Sequence, residues 1–307
     1  MKFTIVTPTY NGGEYIRETI ESVLSQSGDF KIEYIIIDGG STDNTTEIIK
    51  EYEQKLENNT ISIKCDGIEF KWISEKDNGM YSAINKGFDM ATGDIYAWIN
   101  SDDKYLTNAF QIMKNVFEKY PDIDWAKGKT IFIDKNAQNI NTAPCFIFNK
   151  KWIELGIYGR YAYFINQDSV FWRKKLWNKS GKIDDSLRYA GDYDLWCKFA
   201  KQTSLWSIDA LVSVFRQKDG QLSENMSGYR REQSKVKESG GFLQKKVMLF
   251  FFIKNRLDPK NNSLILHYLY RILFRNHMKQ YITINEDGKP YKSLSCSYIS
   301  TCKQNKE

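Results

Sequence analysis

The chain has 307 residues, a formal net charge of +6 and an aromatic content of 15%. That length suits one large α/β domain, or a domain with an appendage. The mild positive charge favours anionic partners such as nucleotide diphosphates or anionic lipid head groups, but the Lys and Arg residues are too dispersed to form the basic stripe of a nucleic-acid-binding protein. No run of about 20 apolar residues occurs, so we expect no transmembrane helix.

The five cysteines are scattered and form no Cys-x-x-Cys pair. This pattern argues against a disulfide framework or a zinc site and fits a reducing compartment. A strand-like run begins at Phe3, so we expect no signal peptide. We therefore expect a cytoplasmic protein.

The first half of the chain alternates short apolar runs with amphipathic helical patterns. Buried strands are predicted at 3–7, 34–38 and 96–99, with further strand signals near 61–64 and 70–74. Helical patterns follow these runs, ending near Gln26 and covering 48–56, 81–91 and 106–117. This alternation predicts a mostly parallel sheet with right-handed crossover connections.

Three predicted strands end in polar loops, at 9–11, 38–41 and 100–103. Parallel strands present such loops at one edge of the sheet, where α/β proteins bind ligands. The chain contains no Gly-x-Gly-x-x-Gly after the first strand and no P-loop motif. The adjacent carboxylates of Asp102 and Asp103 repel each other unless a hard cation lies between them and a phosphate, or unless the loop is simply solvated. Both interpretations stay open at this point.

The pattern changes after residue 122. Strands are predicted at 125–133 and 205–215, and an aromatic-rich stretch covers 152–171. Asp192 lies where a helix of about ten residues is predicted to begin.

Six short motifs follow one another along residues 3–215. They are Val6-Thr7-Pro8-Thr9-Tyr10-Asn11, Ile37-Asp38-Gly39-Gly40-Ser41-Thr42-Asp43, Glu75-Lys76-Asp77-Asn78-Gly79, Ala83-Ile84-Asn85-Lys86-Gly87, Asn100-Ser101-Asp102-Asp103 and Gly191-Asp192-Tyr193-Asp194-Leu195-Trp196. With these motifs the chain resembles an inverting family 2 glycosyltransferase of the kind that assembles bacterial surface polysaccharides. The resemblance implies an α/β GT-A fold, with a mostly parallel central sheet flanked by helices and a helical C-terminal appendage.

The resemblance also implies a division of the chain. A catalytic domain would cover 1–225, with a nucleotide-sugar-binding half at 1–122 and an acceptor-binding half at 123–225. A helical, basic and apolar region would cover 226–307.

The motifs imply a set of donor-binding residues. They are Pro8, Thr9, Tyr10, Asn11, Asp38, Gly40, Ser41, Asp77, Gly79, Asn85, Asn100, Ser101 and Asp102. Three of them have a structural alternative: Asp38 could cap its turn, Asp77 could belong to a plain Asp-Asn-Gly turn, and Asn85 could only fix its helix.

Asn100-Ser101-Asp102-Asp103 matches the family's Asp-x-Asp metal motif, with Asn100 in place of the first Asp. The resemblance therefore implies Asp102 as the preferred candidate for the metal ligand and Asp103 as the second candidate, and the sequence leaves open which of the two holds the metal. The cation would be Mg²⁺ or Mn²⁺, completed by diphosphate oxygens and water. A histidine ligand is not expected, because the two histidines, His267 and His277, lie far downstream.

Asp192 matches the family's catalytic base, which takes a proton from an acceptor hydroxyl while that hydroxyl displaces the diphosphate. Its structural alternative is a helix cap. The implied activity is metal-dependent transfer from a nucleotide sugar, a UDP-sugar first of all, to a hydroxyl of a glycan or lipid-linked acceptor. A non-catalytic nucleotide-sugar-binding or scaffold protein on the same fold is the alternative.

The C-terminal region has apolar helical patterns with basic ends at 242–256 and 264–274. Such helices can lie on an anionic membrane surface, here through 242–281, and would then hold the protein at the inner face of the membrane. They can equally pack on the catalytic domain or in a homodimer. Asp287-Gly288 indicates a hairpin.

Overall fold

The computed structural model describes residues 1–160, 164–237, 241–257, 279–285 and 287–295. The strands in these ranges are β1 Lys2–Thr9, β2 Ser27–Gly28, β3 Lys31–Asp38, β4 Lys64–Cys65, β5 Ile68–Ser74, β6 Ile95–Trp98, β7 Lys104–Tyr105, β8 Trp125–Ile133, β9 Asn139–Thr142, β10 Val170–Arg173, β11 Trp206–Arg216, β12 Lys279–Ile284 and β13 Pro290–Ser295. The helices are α1 Ile16–Leu24, α2 Thr45–Glu57, α3 Met80–Asp89, α4 Ala109–Lys119, α5 Lys150–Glu154, α6 Lys174–Ser180, α7 Gly191–Gln202, α8 Met226–Val236 and α9 Phe242–Leu257.

The main sheet has the strand order β13-β12-β11-β8-β10-β6-β1-β3-β5. Strands β6, β1, β3 and β5 run parallel, as the alternating pattern predicts. Strand β10 is antiparallel to both of its neighbours, β6 and β8. The α/β fold class predicted from the sequence is therefore confirmed, with β10 reversed inside the sheet and β13 reversed at its edge.

Most predicted elements form within a few residues of their expected bounds, but the strand near 61–64 does not. Only Lys64 and Cys65 are extended there, and they pair with β2 in a separate two-stranded sheet. Ile63 is 39% exposed and only Ile61 packs against the edge of a core, so this segment is not buried as a strand of the main sheet would be. The main sheet instead ends at β5, which begins at Ile68.

Two apolar cores cover the two faces of the sheet. Helices α1, α2 and α4 pack on one face, and α3, α6 and α7 pack on the other. The second core holds much of the aromatic content, for example Trp196 stacked on Trp98 with ring centroids 5.6 Å apart. Trp196 is thus a core residue. Burial of such large rings gives these cores most of their stabilising free energy.

The C-terminal region extends the catalytic fold. Helix α8 packs on α7, and the buried side chains of Val247 and Phe250 in α9 join the aromatic core. Strands β12 and β13 form the hairpin expected at Asp287-Gly288, and β12 pairs in parallel with β11. The predicted helix at 264–274 lies outside the described residues. Among those described, no helix is both long and apolar enough to cross a bilayer.

Candidate active site

The carboxyl ends of β1, β3 and β6 lie side by side and bring the three predicted polar loops together. Thr9 is paired with Asp38, and the Gly39 N–H donates to the Thr9 carbonyl at 2.9 Å. Gly12 lies between β1 and the β6 loop, where an added Cβ would come within 2.5 Å of Thr9 Oγ1 and 3.0 Å of Ser101 Oγ. The close approach of these loops therefore depends on a residue without a side chain at position 12.

Two loops at this edge are tied to each other through Asn11. Its backbone N–H donates to Ser41 Oγ at 2.7 Å, and its Oδ1 accepts the Thr42 N–H at 2.9 Å. Asn11 has a φ of 50°, a left-handed conformation that Asn tolerates better than most residues. Beside it, the side chain of Tyr10 is 65% exposed. A fixed loop carrying an exposed aromatic ring can stack against a flat ligand.

Asp38 is fully buried and its carboxylate is already hydrogen-bonded within its own turn. It accepts bonds from the Ser41 N–H at 3.0 Å, from Ser74 Oγ at 2.6 Å and from Ser41 Oγ. The capping role considered for Asp38 is therefore observed, while its contact with a nucleoside stays a prediction. By contrast, Thr9 Oγ1 is buried and has no hydrogen-bond partner among the described residues.

Asp77 and Asn85 both have structural partners. Asp77 Oδ1 accepts the Gly79 N–H at 2.8 Å. This hydrogen bond closes the Asp-Asn-Gly turn that was the structural alternative for Asp77. Asn85 is buried, its Nδ2 donates to the Ile183 carbonyl at 2.9 Å, and its Oδ1 accepts the Ile183 N–H at 3.1 Å. Asn85 thereby ties α3 to the segment that leads into α7, and its contact with the donor stays a prediction.

The two adjacent carboxylates of the β6 loop point into different surroundings. Asp103 is 1% exposed and its Oδ1 accepts the Arg216 N–H at 2.9 Å. Burial, followed by the charge of Asp102, raises the pKa of Asp103 well above its usual value. The Asp102 side chain keeps 17% of its surface exposed. Asp102 is therefore the better placed of the two to bind a cation.

Asp102 is held by the segment that follows β11. Its Oδ2 lies 3.2 Å from Lys218 Nζ and accepts a hydrogen bond from Gln221 Nε2 at 3.1 Å. The ammonium group of Lys218 also lies 4.5 Å from the centroid of the Tyr15 ring. Lys218 and Gln221 could not be predicted as site residues from the sequence, because nothing in their local pattern distinguishes them from other loop residues.

The oxygen atoms around Asp102 fit a hard divalent cation. Asn100 Oδ1 is buried without a hydrogen-bond partner among the described residues, and it belongs to the same loop as the Asp102 carboxylate. Amide and carboxylate oxygens are ligands that Mg²⁺ and Mn²⁺ accept. No group of three or more His, Cys, Asp or Glu side chains able to hold a metal occurs in the described part of the chain. A cation bound here would thus take most of its ligands from a diphosphate and from water.

Asp192 lies in the first turn of α7, as predicted. Its Oδ1 accepts the Tyr193 N–H at 2.7 Å and the Tyr229 hydroxyl at 3.2 Å. Burial raises the pKa of Asp192 to about 6, although these two hydrogen bonds oppose the rise. A carboxyl group with a pKa near the working pH is suited to general base catalysis.

A small cavity borders the Asp192 side chain. Its volume of about 10 Å³ is room for about one water molecule or hydroxyl group. Tyr229, Tyr158, Phe164 and Trp196 contribute to its wall. The cavity could therefore receive a single hydroxyl group next to the carboxylate.

Helix α8 fixes the residues that precede Asp192. Both Glu232 carboxylate oxygens accept backbone N–H groups, from Arg188 at 3.0 Å, Tyr189 at 2.7 Å and Ala190 at 2.9 Å. From the other side, the Tyr81 hydroxyl of α3 donates to the Tyr189 carbonyl at 2.9 Å. The roles of Glu232 and Tyr229 could not be found from sequence, since their partners lie about 40 residues away.

Comparisons with known proteins agree with this architecture. Residues 4–181 match the family model described as glycosyl transferase family 2. An uncharacterized glycosyltransferase of Rickettsia typhi is 27% identical over 244 residues, which are 79% of this chain and 71% of the relative. One from Rickettsia prowazekii is 28% identical over 205 residues, 66% of this chain and 60% of the relative.

Two solved structures share the fold. S. aureus TarS 1–349 in complex with UDP has a TM-score of 0.56 at 16% identity, over 96% of this chain and 97% of that one. The mannosyltransferase PcManGT from Pyrobaculum calidifontis, in complex with GDP-Man and Mn²⁺, has a TM-score of 0.55 at 13% identity, over 89% and 79% of the two chains. The family model covers more than half of the sequence, and the chain belongs to glycosyl transferase family 2.

Proposed function

We propose that the chain is an inverting glycosyltransferase that moves a sugar from a UDP-sugar to a hydroxyl group of a glycan or lipid-linked acceptor. The observation that carries this proposal is the Asp192 carboxylate, which has a pKa near 6 and borders a cavity the size of a hydroxyl group. A non-catalytic binding protein would have no need for such a group. The similarity to TarS, which has been solved with UDP and with UDP-GlcNAc, supports a uridine nucleotide.

On the donor side, the loops after β1, β3 and β6 would hold the nucleotide. Thr9 Oγ1 and Asn100 Oδ1, both buried without a partner among the described residues, are free to bond a ligand that enters this edge. Asp102, with Asn100, would hold Mg²⁺ or Mn²⁺, and PcManGT with its Mn²⁺ supports this choice of cation. When bound, the cation would neutralise charge on the departing diphosphate.

On the acceptor side, Asp192 would take the proton from the acceptor hydroxyl as the hydroxyl oxygen attacks the anomeric carbon. The bond from that carbon to the diphosphate breaks in the same step, so the configuration of the sugar inverts. General base catalysis of this kind contributes about 10²–10⁴-fold to the rate. The hydrogen bonds from Tyr193 N–H and Tyr229 fix the carboxylate for this task.

The experiment that tests the proposal measures release of nucleoside diphosphate from a panel of nucleotide sugars, with Mn²⁺ or Mg²⁺ and then with chelator. Asp192→Asn should lose about 10²-fold or more of the transfer rate while still binding the nucleotide. Asp194→Asn is the matched control, because Asp194 is on the same helix but pairs with Lys198 at 2.6 Å. If Asp192→Asn transferred sugar at the wild-type rate, the assigned base would be wrong.

The exposed face of α9 favours an acceptor at a membrane surface. Phe242 is 84% exposed, Phe252 63% and Leu257 69%, with exposed Lys245 and Lys246 on the same helix. Apolar side chains beside basic ones suit the surface of an anionic membrane. Such a contact would place the protein at the inner face of the membrane and would suit a lipid-linked acceptor in surface polysaccharide assembly. Sedimentation with anionic vesicles, lost in Phe242→Ser/Phe252→Ser, would support this contact, and dimerisation without vesicle binding would contradict it.

A further inference from the structure

Helix α8 contacts the candidate base directly, although it lies beyond the residues that match the family model. The Tyr229 hydroxyl donates to Asp192 Oδ1 at 3.2 Å, and both side chains line the same small cavity. Three residues further along α8, Glu232 accepts three backbone N–H groups just before α7. One face of α8 therefore supports both the carboxylate and the start of its helix.

The position of α8 is itself closely fixed. Asn225 caps the helix by accepting the Gly228 N–H at 2.9 Å, and its Nδ2 donates to the Tyr189 hydroxyl at 3.1 Å. A Cβ at Gly228 would come within 2.8 Å of the Tyr189 ring, so only glycine permits this approach. At the other end, Arg160 donates to Ser234 Oγ at 2.9 Å. These contacts leave the Tyr229 hydroxyl little freedom to turn away from Asp192.

We propose that Tyr229 is a positioning residue for the transfer reaction, whose hydroxyl group orients the Asp192 carboxylate and stabilises its charged form. The inference rests on the proposed function, because it requires Asp192 to be the base. It also assigns α8 to the catalytic unit.

The surroundings of Asp192 make this one hydrogen bond important. Among the described residues, the ionisable groups that interact with Asp192 or line its cavity are Tyr229 on α8, Tyr81 on α3, Tyr193 and Cys197 on α7, and Tyr158. None of these groups carries a positive charge that could offset the burial of the carboxylate. The charged form of Asp192 is therefore stabilised by hydrogen bonds. Tyr229 donates the hydrogen bond that comes from a side chain, and the others come from the backbone.

Removing the hydroxyl group should move the acid limb of the pH–rate profile. Asp192 must be ionised to accept a proton, so wild-type activity falls as the pH falls through about 6. Tyr229→Phe removes a bond to the charged form, raises the pKa of Asp192 and shifts the acid limb upward by about one pH unit. Tyr96→Phe, which removes a tyrosine hydroxyl that donates to the Ala91 carbonyl at 3.0 Å outside the site, should leave the limb in place.

A second measurement does not depend on turnover. A ¹³C NMR titration of the aspartate carboxyl groups, with Asp192 assigned by comparison with Asp192→Asn, should show the same upward shift in Tyr229→Phe. If Tyr229→Phe does not fold, 3-fluorotyrosine at position 229 retains the shape of the ring and donates more strongly. It should then move the limb to lower pH.

The outcomes separate the inference from the proposed function. An acid limb and an NMR titration that are unchanged in Tyr229→Phe, with Asp192→Asn inactive, would overturn the inference and leave the proposed function intact. Wild-type transfer by Asp192→Asn would overturn the assignment of the base and, with it, the role of Tyr229 in catalysis. No transfer by the wild type from any nucleotide sugar in the panel would overturn the proposed function. A shifted limb together with a shifted NMR titration would support both.

Discussion

Lys218 Nζ lies 3.2 Å from Asp102 Oδ2, so the carboxylate assigned to the metal is paired with an ammonium group of the protein itself. A divalent cation that binds Asp102 must compete with this ammonium group. The Lys218→Met variant should therefore bind Mn²⁺ about two- to fivefold more tightly. This factor corresponds to the free energy of a partly exposed ion pair, which the cation no longer has to break. Calorimetric titration of Mn²⁺ into the protein saturated with UDP checks this.

The matched control is Lys175→Met, which removes the same charge from an exposed ion pair with Asp124. Its affinity for Mn²⁺ should equal that of the wild type. Equal affinities in Lys218→Met and the wild type would mean that the two cations do not compete for Asp102.

The pair Asp102→Asn and Asp103→Asn distinguishes the two candidate metal ligands. Asp102→Asn should weaken Mn²⁺ binding by about 100-fold or more, since even changes next to a ligand cost about 10–100-fold. Asp103→Asn should bind Mn²⁺ nearly as the wild type does, because an amide oxygen can still accept the Arg216 N–H. The reverse order of affinities would assign the metal to Asp103.

Asn85→Ala should destabilise the fold more than it weakens donor binding. The change leaves the buried N–H and carbonyl of Ile183 without partners, which costs about 1–3 kcal/mol of unfolding free energy. Urea denaturation measures this loss, with exposed Asn78→Ala as the control. Normal stability combined with a large rise in KM for the donor would instead make Asn85 a donor contact.

Glu33 should make the protein sensitive to acid. Burial alone would raise the pKa of Glu33, but hydrogen bonds from Lys71, Thr4 and Thr92 lower it to about 2. Because the folded-state pKa is depressed, its stabilising contribution is complete above about 4.5 and is lost progressively as the pH falls toward 2.

Glu33→Gln should lower the unfolding free energy at pH 7 by about 1.5–3 kcal/mol, the usual range for hydrogen bonds to a charged group. The deficit should shrink as the pH falls through this window. Denaturant unfolding of both proteins at pH 7 and pH 3 checks this, and a deficit that is the same at both pH values would contradict it.

The sheet could be predicted from sequence because its strands are continuous apolar runs with short connections. Strands β1, β3 and β6 bring residues 9–11, 38–41 and 100–103 to one edge because parallel strands leave no other arrangement. Asp192 was found because it begins a helix within a recognisable motif. In each of these cases the signal lies within about ten residues of chain.

Contacts between distant segments could not be predicted in this way. Asn85 bonds the backbone of Ile183, and Tyr229 bonds Asp192, but neither residue carries a local mark of its partner. Asp102 and Asp103 look equivalent in the sequence, and only the fold makes one buried and the other accessible. The segment at 61–64 shows the opposite error, since its apolar pattern predicted a buried strand where only Ile61 packs against the core and Ile63 is exposed.

The insertion of β10 between β6 and β8 has a consequence for the way the protein is made. Strand β6 ends at Trp98 and its neighbour begins at Val170, so at a translation rate of about 5–20 residues per second the edge of β6 waits about 4–14 s for its partner. During this time the unpaired apolar edge of β6 can form hydrogen bonds with a strand of another nascent chain. Protection by a ribosome-associated chaperone during this interval should therefore raise the yield of folded protein.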